Sequence, residues 1–202
     1  LLIFHDQDYI NVLRETEKKQ KANLDDMKKY NLGTFSNPIF KEMYSRHAVA
    51  TGSLIMAADL ILNKKLNYVF SPGSGAHHGK KNKADGFCYF NDIATCILYL
   101  KRNNIKRILY FDMDAHYGDG VVESFRNDKN VLTVSIHQKS LWPKSGHYIL
   151  DNDIIDFLPS SKLMELDMYH YLEMVDYHKL VSIIDNNPEY KKSPTIQELF
   201  NY

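Results

Sequence analysis

Apolar residues recur at helical spacing early in the chain, gather into short continuous runs in the middle, and are interleaved with acidic positions towards the end. Residues 6–30 place Tyr9, Ile10 and Leu13 on one stripe beside a Lys- and Glu-rich face, which predicts a surface helix followed by a polar connection. Gly33, Asn37 and Pro38 make "YNLGTFSNPIF" a loop. Residues 41–63 predict a long helix buried through Met56, Ala57, Leu60 and Ile61. A short apolar run, Tyr68, Val69 and Phe70, then enters the Gly-rich "SPGSGAHHG". Residues 92–101 predict another helix, capped by Asn91 or Asp92, with Ile93, Cys96, Ile97 and Leu100 facing inward. "RILYFDMDA" and "VLTVSIH" predict buried strands, separated by a short helix near residues 122–125.

Apolar strands that alternate with helices predict an α/β fold of three layers, a mostly parallel sheet with helices on both faces. Sites in such sheets gather at the carboxyl ends of strands, and "GSGAHHG" and "DMDAHYGDG" both read as strand ends. After Tyr148 the chain becomes acidic and mostly helix-like by spacing. The organisation read from this is a principal domain over 1–148 and a divergent segment over 149–202.

Charge narrows the function classes. Twenty-five basic and 25 acidic residues cancel, so no footprint for direct nucleic-acid binding or for an anionic membrane is expected. The lysines of "GKKNK" (Lys80, Lys81, Lys83) read as a solvated loop. Two cysteines, Cys88 and Cys96, do not make a disulfide framework, and no apolar stretch approaches the roughly 20 residues of a membrane span. A cytoplasmic location is expected, or a nuclear one in a eukaryote.

The chemistry concentrates in "YFDMDAHYGDG". Burying carboxylates is costly unless they are paired or metal-bound, so a buried strand that ends in Asp112, Asp114, His116 and Asp119 reads as a site. If the strand persists, Asp112, Asp114 and His116 project to one side. Oxygen and nitrogen donors two residues apart suit one divalent ion, zinc or iron(II), with a further ligand from elsewhere. His77 and His78 each need a partner to fix a tautomer, and Asp112 and Asp119 are the carboxylates available if the two strand ends adjoin. Gly86 permits an unusual backbone, and Phe87 beside it reads either as the wall of a narrow pocket or as core. Nothing near Cys88 forms a nucleophile's constellation.

"GSGAHHGKKNKADGFCYFNDIA", "RILYFDMDAHYGDGVVESF" and "VLTVSIHQKSLWPKSG" together resemble the histone deacetylase superfamily, closest to its acetoin-utilisation branch of bacterial deacetylase-like proteins. "FHDQDYINVL" and "YNLGTFSNPIF" are similar to its first helix and rim loop, so the resemblance covers about residues 4–148. It implies an arginase-deacetylase fold and zinc-dependent hydrolysis of an acetyl-amide, in an acetylated protein or a small acetylated amine. Asp114 and His116 match two zinc ligands. His77 and His78 match tandem proton-handling histidines, with Asp112 and Asp119 as their carboxylates. Gly86, Phe87 and Trp142 match the acyl-lysine tunnel, Trp142 standing where a Phe is usual. Asp112, Asp114, His116, Ser135 and Ile136 match one structural potassium or sodium site, and Phe125, Asp128 and Val131 a second.

The sequence departs from that pattern in places. Tyr117 replaces the second His of D-x-H-H, Ser36 falls where an Asp is frequent, and "PKSG" replaces P-G-T-G. Neither the family's third zinc ligand nor its transition-state Tyr is recognisable after Tyr148, so the sheet is expected to be incomplete on its C-terminal side. Two readings follow: a deacetylase, or a catalytically incomplete relative acting as a binding or scaffold protein. An exposed sheet edge makes pairing with a second copy an expectation of either. A ureohydrolase centre is disfavoured, because Gly118 stands where its bridging carboxylate belongs.

Overall fold

The computed structural model describes residues 1–138, 141–144 and 164–167. In chain order these form α1 (Gln7–Lys19), α2 (Leu24–Tyr30), α3 (Ser45–Leu62), α4 (Asp92–Arg102), β1 (Ile108–Asp112), α5 (Asp119–Phe125), β2 (Val131–His137) and β3 (Met164–Asp167). The strands lie in the order β1-β2-β3, all parallel, with Asp112 opposite Ser135 at the carboxyl end of β1. Each crossover whose residues are described carries a helix, as parallel pairing requires.

The apolar stripe of α1 is buried as its spacing predicts. Tyr9, Ile10 and Leu13 pack with Tyr30, Leu32, Met43, Tyr89 and Phe90, and the Tyr9 hydroxyl donates to the Tyr89 carbonyl at 2.7 Å. A second core joins Ala94 and Ile97 of α4 to Val121 and Phe125 of α5 and Val131 of β2. Between these two cores runs the segment from the tandem histidines to α4, and this holds the site in place.

Several elements differ from their sequence pattern. The polar connection after α1 contains α2, started by Asn23, whose side chain accepts from the Asp26 amide at 2.7 Å. On α3 the buried residues are Thr51, Ala57 and Ala58, whereas Met56 and Ile61 are exposed. That helix is apolar around too much of its circumference for periodicity to select a face. It packs against α4, with Tyr99 donating to Asp59. On α4, Asp92, Ala94, Thr95 and Ile97 are buried, while Ile93, Cys96 and Leu100 are only half-buried, because the helix lies between α3 and α5. Asn91 is its cap, one of the two residues expected. Tyr68, Val69 and Phe70 form no strand and both aromatic rings are exposed, so the histidine loop does not follow a strand end.

Candidate functional site

β1 stops at Asp112, so Asp114 and His116 ride on the loop that follows rather than on a continued strand. Local hydrogen bonds organise that loop instead. The Asp114 amide donates to Asp112 Oδ1 at 2.9 Å, and the His116 amide donates to Asp114 Oδ1 at 2.8 Å. The His116 ring Nδ1 lies 3.0 Å from the same oxygen. Both side chains remain about half exposed.

The tandem histidines meet this strand end as two buried pairs. His77 Nδ1 is 2.6 Å from Asp112 Oδ2, and His78 Nδ1 is 2.7 Å from Asp119 Oδ1, with the two imidazole centroids 4.0 Å apart. His77 Nε2 comes within 3.9 Å of Asp114 Oδ1. Burial opposes a charge on His77, but the hydrogen bond and the field of Asp112 outweigh it and the pKa of the ring rises. Burial likewise opposes ionisation of Asp112 and Asp119, yet their bonded partners hold both carboxyls below the ordinary value.

Two glycines allow this approach. A Cβ at Gly118 would stand 2.3 Å from Asp112 Oδ2, and one at Gly120 would stand 2.5 Å from the His77 carbonyl. With no side chain at Gly120, the first turn of α5 lies against the histidine loop, and the Val121 amide donates to the His77 carbonyl at 3.2 Å.

The loop also hangs from α4. Asp92 accepts from the Gly75 and Ala76 amides at 3.0 and 2.9 Å. Fully buried Asn91 accepts from the Ala94 amide at 2.8 Å while donating to the Gly79 carbonyl at 2.9 Å. In the sequence, Asn91 and Asp92 read only as caps.

The aromatic residues border the histidines. The Trp142 ring meets His78 edge-on with centroids 4.7 Å apart and lies over Gly86. Phe87 is 58% exposed at φ 64°, so it is no core residue. Its amide is held by Asn37 Oδ1 at 3.1 Å and by the Ser36 carbonyl at 2.9 Å. A Cβ at Gly86 would fall 2.5 Å from the Trp142 ring and 2.6 Å from the His78 ring. Trp142 is the chain's single tryptophan, so its fluorescence reports on this corner alone. Gly86→Ala is expected to displace the indole into solvent and shift its emission to the red, with the far-ultraviolet dichroism unchanged.

Three residues that the sequence did not assign to the site complete the surroundings. The Tyr110 hydroxyl donates to Asp112 Oδ2, Asn37 supports Phe87, and Lys80 reaches Asp119. Lys80 therefore corrects the reading of its run as a solvated loop. Burial raises the thiol pKa of Cys88 to about 11, in keeping with the absence of a nucleophile's constellation there. Tyr117, at the substituted histidine position, is buried with its ring 5.0 Å from that of His137.

Of the expected cation contacts, Ser135 sits beside Asp112 across the strand pair, and Ile136 follows it in β2. In the second set, the Phe125 and Asp128 carbonyls accept the amides of Asp128 and Val131 at 2.8 and 3.1 Å, and the Lys101 ammonium rests on the Asp128 carboxylate. Among the described residues, no cluster of three metal-capable side chains occurs. Asp114 and His116 nevertheless present an oxygen and a nitrogen donor together at the open end of the site, the donor chemistry a divalent ion takes. Among the described residues, no helix is long and apolar enough to cross a membrane.

Parallel strands, covering helices and two histidine–carboxylate pairs, one at the end of β1 and one at the start of α5, define an α/β protein of the arginase-deacetylase class. The histone deacetylase domain model matches residues 1–179, and the chain belongs to that family. It is 39% identical over 150 residues to an acetoin utilization protein AcuC of Staphylococcus aureus, a match covering 73% of this chain and 38% of that protein. It is 34% identical over 148 residues to the AcuC protein of Bacillus subtilis, covering 72% and 38%. The crystal structure of an HDAC homolog from Aquifex aeolicus superposes with a TM-score of 0.73 at 36% identity, over 83% of this chain and 44% of that one. The chain thus spans about two fifths of the length of the curated relatives it matches.

The carboxylates of the two pairs also set a dependence on acid. Because the folded pKa values of Asp112 and Asp119 lie below the ordinary 3.8, the stability they contribute is fully present above that pH. It is lost as pH falls through their lower folded values. Asp119→Asn removes one of these groups, and a titration of Tm against pH is expected to show a shallower acid limb for the variant.

Proposed function

We propose that this chain carries the proton-handling half of a metal-dependent deacetylase site that hydrolyses an acetyl-amide, in acetyl-lysine or a similar acetylated amine. The observation that carries the reading is the double pairing of His77 with Asp112 and His78 with Asp119 beside Asp114 and His116. A lone imidazole on a surface needs no buried carboxylate, whereas an acid–base pair does.

Asp114 and His116 would hold the metal, zinc by preference and iron(II) as the other choice, with a further ligand from outside the described residues. Such an ion supplies Lewis acidity for the acetyl carbonyl and lowers the pKa of water. His78, its Nδ1 engaged by Asp119, offers Nε2 to take the proton of the attacking water and return it to the leaving amine. His77, whose pKa is raised by its hydrogen bond to Asp112, holds a proton more readily than a free imidazole and lies beside the place where negative charge would develop. Phe87, Gly86 and Trp142 border the channel for the acylated side chain. Potassium or sodium at the Asp112–Ser135 strand end would reinforce the loop that carries Asp114 and His116. Residues 1–148 then act as the main part of the deacetylase-like domain, and the divergent segment 149–202 contributes β3 to its sheet.

The deciding experiment measures bound metal together with turnover of a fluorogenic acetyl-lysine substrate. About one equivalent of metal with turnover that His78→Ala abolishes supports the proposal. Neither metal nor turnover would favour the incomplete, partner-binding relative.

A further inference from the structure

Lys80 differs from the other lysines of its run. Its side chain is 21% exposed and its ammonium bridges Asp119 Oδ2 at 2.5 Å and Glu123 Oε2 at 2.9 Å. Lys81, its neighbour, is 66% exposed and, among the described residues, pairs with Asp6 at 3.3 Å. The Lys80 backbone is itself fixed, its amide donating to the Lys83 carbonyl at 2.9 Å. Asp119 and Glu123 lie one turn apart on α5, so the ammonium spans the face of that helix nearest the histidine loop.

The two carboxylates of the site are therefore completed differently. Asp112 takes His77 and the neutral Tyr110 hydroxyl on one oxygen and the Asp114 amide on the other. Asp119 divides its oxygens between His78 and a cation. A carboxylate bonded to one partner can turn about its last torsion and exchange oxygens, but one pinned at both oxygens cannot.

We infer that Lys80 is a positioning residue for His78: by holding Asp119 Oδ2 it stops that carboxylate from turning, which keeps Oδ1 on the His78 ring and fixes the ring with its proton on Nδ1 and its lone pair on Nε2. The catalytic meaning of this rests on the proposed deacetylase reading, while the geometric claim about the ring does not. Outer-shell partners at metal sites typically contribute about 10- to 100-fold to affinity or activity, and an effect of that order is expected here.

The test compares the full chain with Lys80→Met and Lys80→Arg, using long-range proton–nitrogen correlation spectra of the imidazoles and steady-state kinetics. In the parent, His78 is expected as a single Nδ1–H tautomer. Lys80→Met is expected to mix its tautomers while His77 keeps its signals, and to lower kcat by about 10- to 100-fold with KM little changed. Lys80→Arg should restore both. His78 signals in Lys80→Met identical to the parent's overturn the inference, as does an altered spectrum with undiminished kcat in an active chain. If the parent shows no turnover, the deacetylase reading fails and the imidazole spectra alone decide the role of Lys80. Should Lys80→Met not fold, Lys80→Gln removes the charge and carries the same comparison.

Discussion

His78→Ala is expected to lower the turnover of acetyl-lysine by about 10²- to 10⁴-fold, the contribution of a positioned acid–base group. The ring is buried, its Nδ1 is committed to Asp119, and the remaining nitrogen is the one left to move a proton. Alanine removes that nitrogen and leaves the Asp119 carboxylate with Lys80 as its charge partner. Because Asp114 and His116 are untouched, bound metal should stay at the parent's level. Measuring kcat/KM and metal content on the same preparation separates the two effects, and a variant that turns over like its parent would remove His78 from the chemistry.

The largest effect on stability is expected at Gly120. A Cβ there meets the His77 carbonyl at 2.5 Å, the Gly79 carbonyl at 2.7 Å and the His78 carbonyl carbon at 2.7 Å. All three are backbone atoms, so no side-chain rotation relieves the clash. Gly120→Ala must push α5 off the histidine loop, at about 3 kcal/mol, the upper end of ordinary overpacking costs. For a chain of this size that corresponds to a fall in Tm of roughly 6–12 °C. Gly52, inside α3, has nothing within 4 Å of its would-be Cβ. Gly52→Ala should therefore raise stability by up to about 1 kcal/mol through helix propensity alone. Thermal denaturation of the two variants side by side checks both signs.

How far the fold and site could be read from sequence follows from what each signal encodes. The β1–α5–β2 unit was legible because a parallel crossover forces apolar strands and a short helix into a recognisable order. The pairing of the histidines with Asp112 and Asp119 was legible as a need for partners. The face of α3 was not, since Met56 and Ile61 read as buried but only a packing partner decides which side of a broadly apolar helix faces inward. Lys80 was hidden by its neighbours, because a run of lysines looks solvated whether or not one of them folds back onto a carboxylate. Tyr110 was hidden by its strand, where an aromatic residue reads as core and the reach of its hydroxyl leaves no trace in the spacing. The persistence of β1 to His116 failed because backbone capping by Asp112 and Asp114 replaces the ladder beyond the strand end.

The suspension of residues 75–79 from Asn91 and Asp92 has a consequence for motion. The Asn91 side chain both ties this loop down and caps the first turn of α4, and Asp92 in that same turn holds the Gly75 and Ala76 amides, so opening either one loosens the other. Loop and helix start form one cooperative opening unit, and their amides should exchange with deuterium at a common, slow rate. The tandem histidines thereby inherit the rigidity of a buried helix although they sit on a segment with no regular structure of its own.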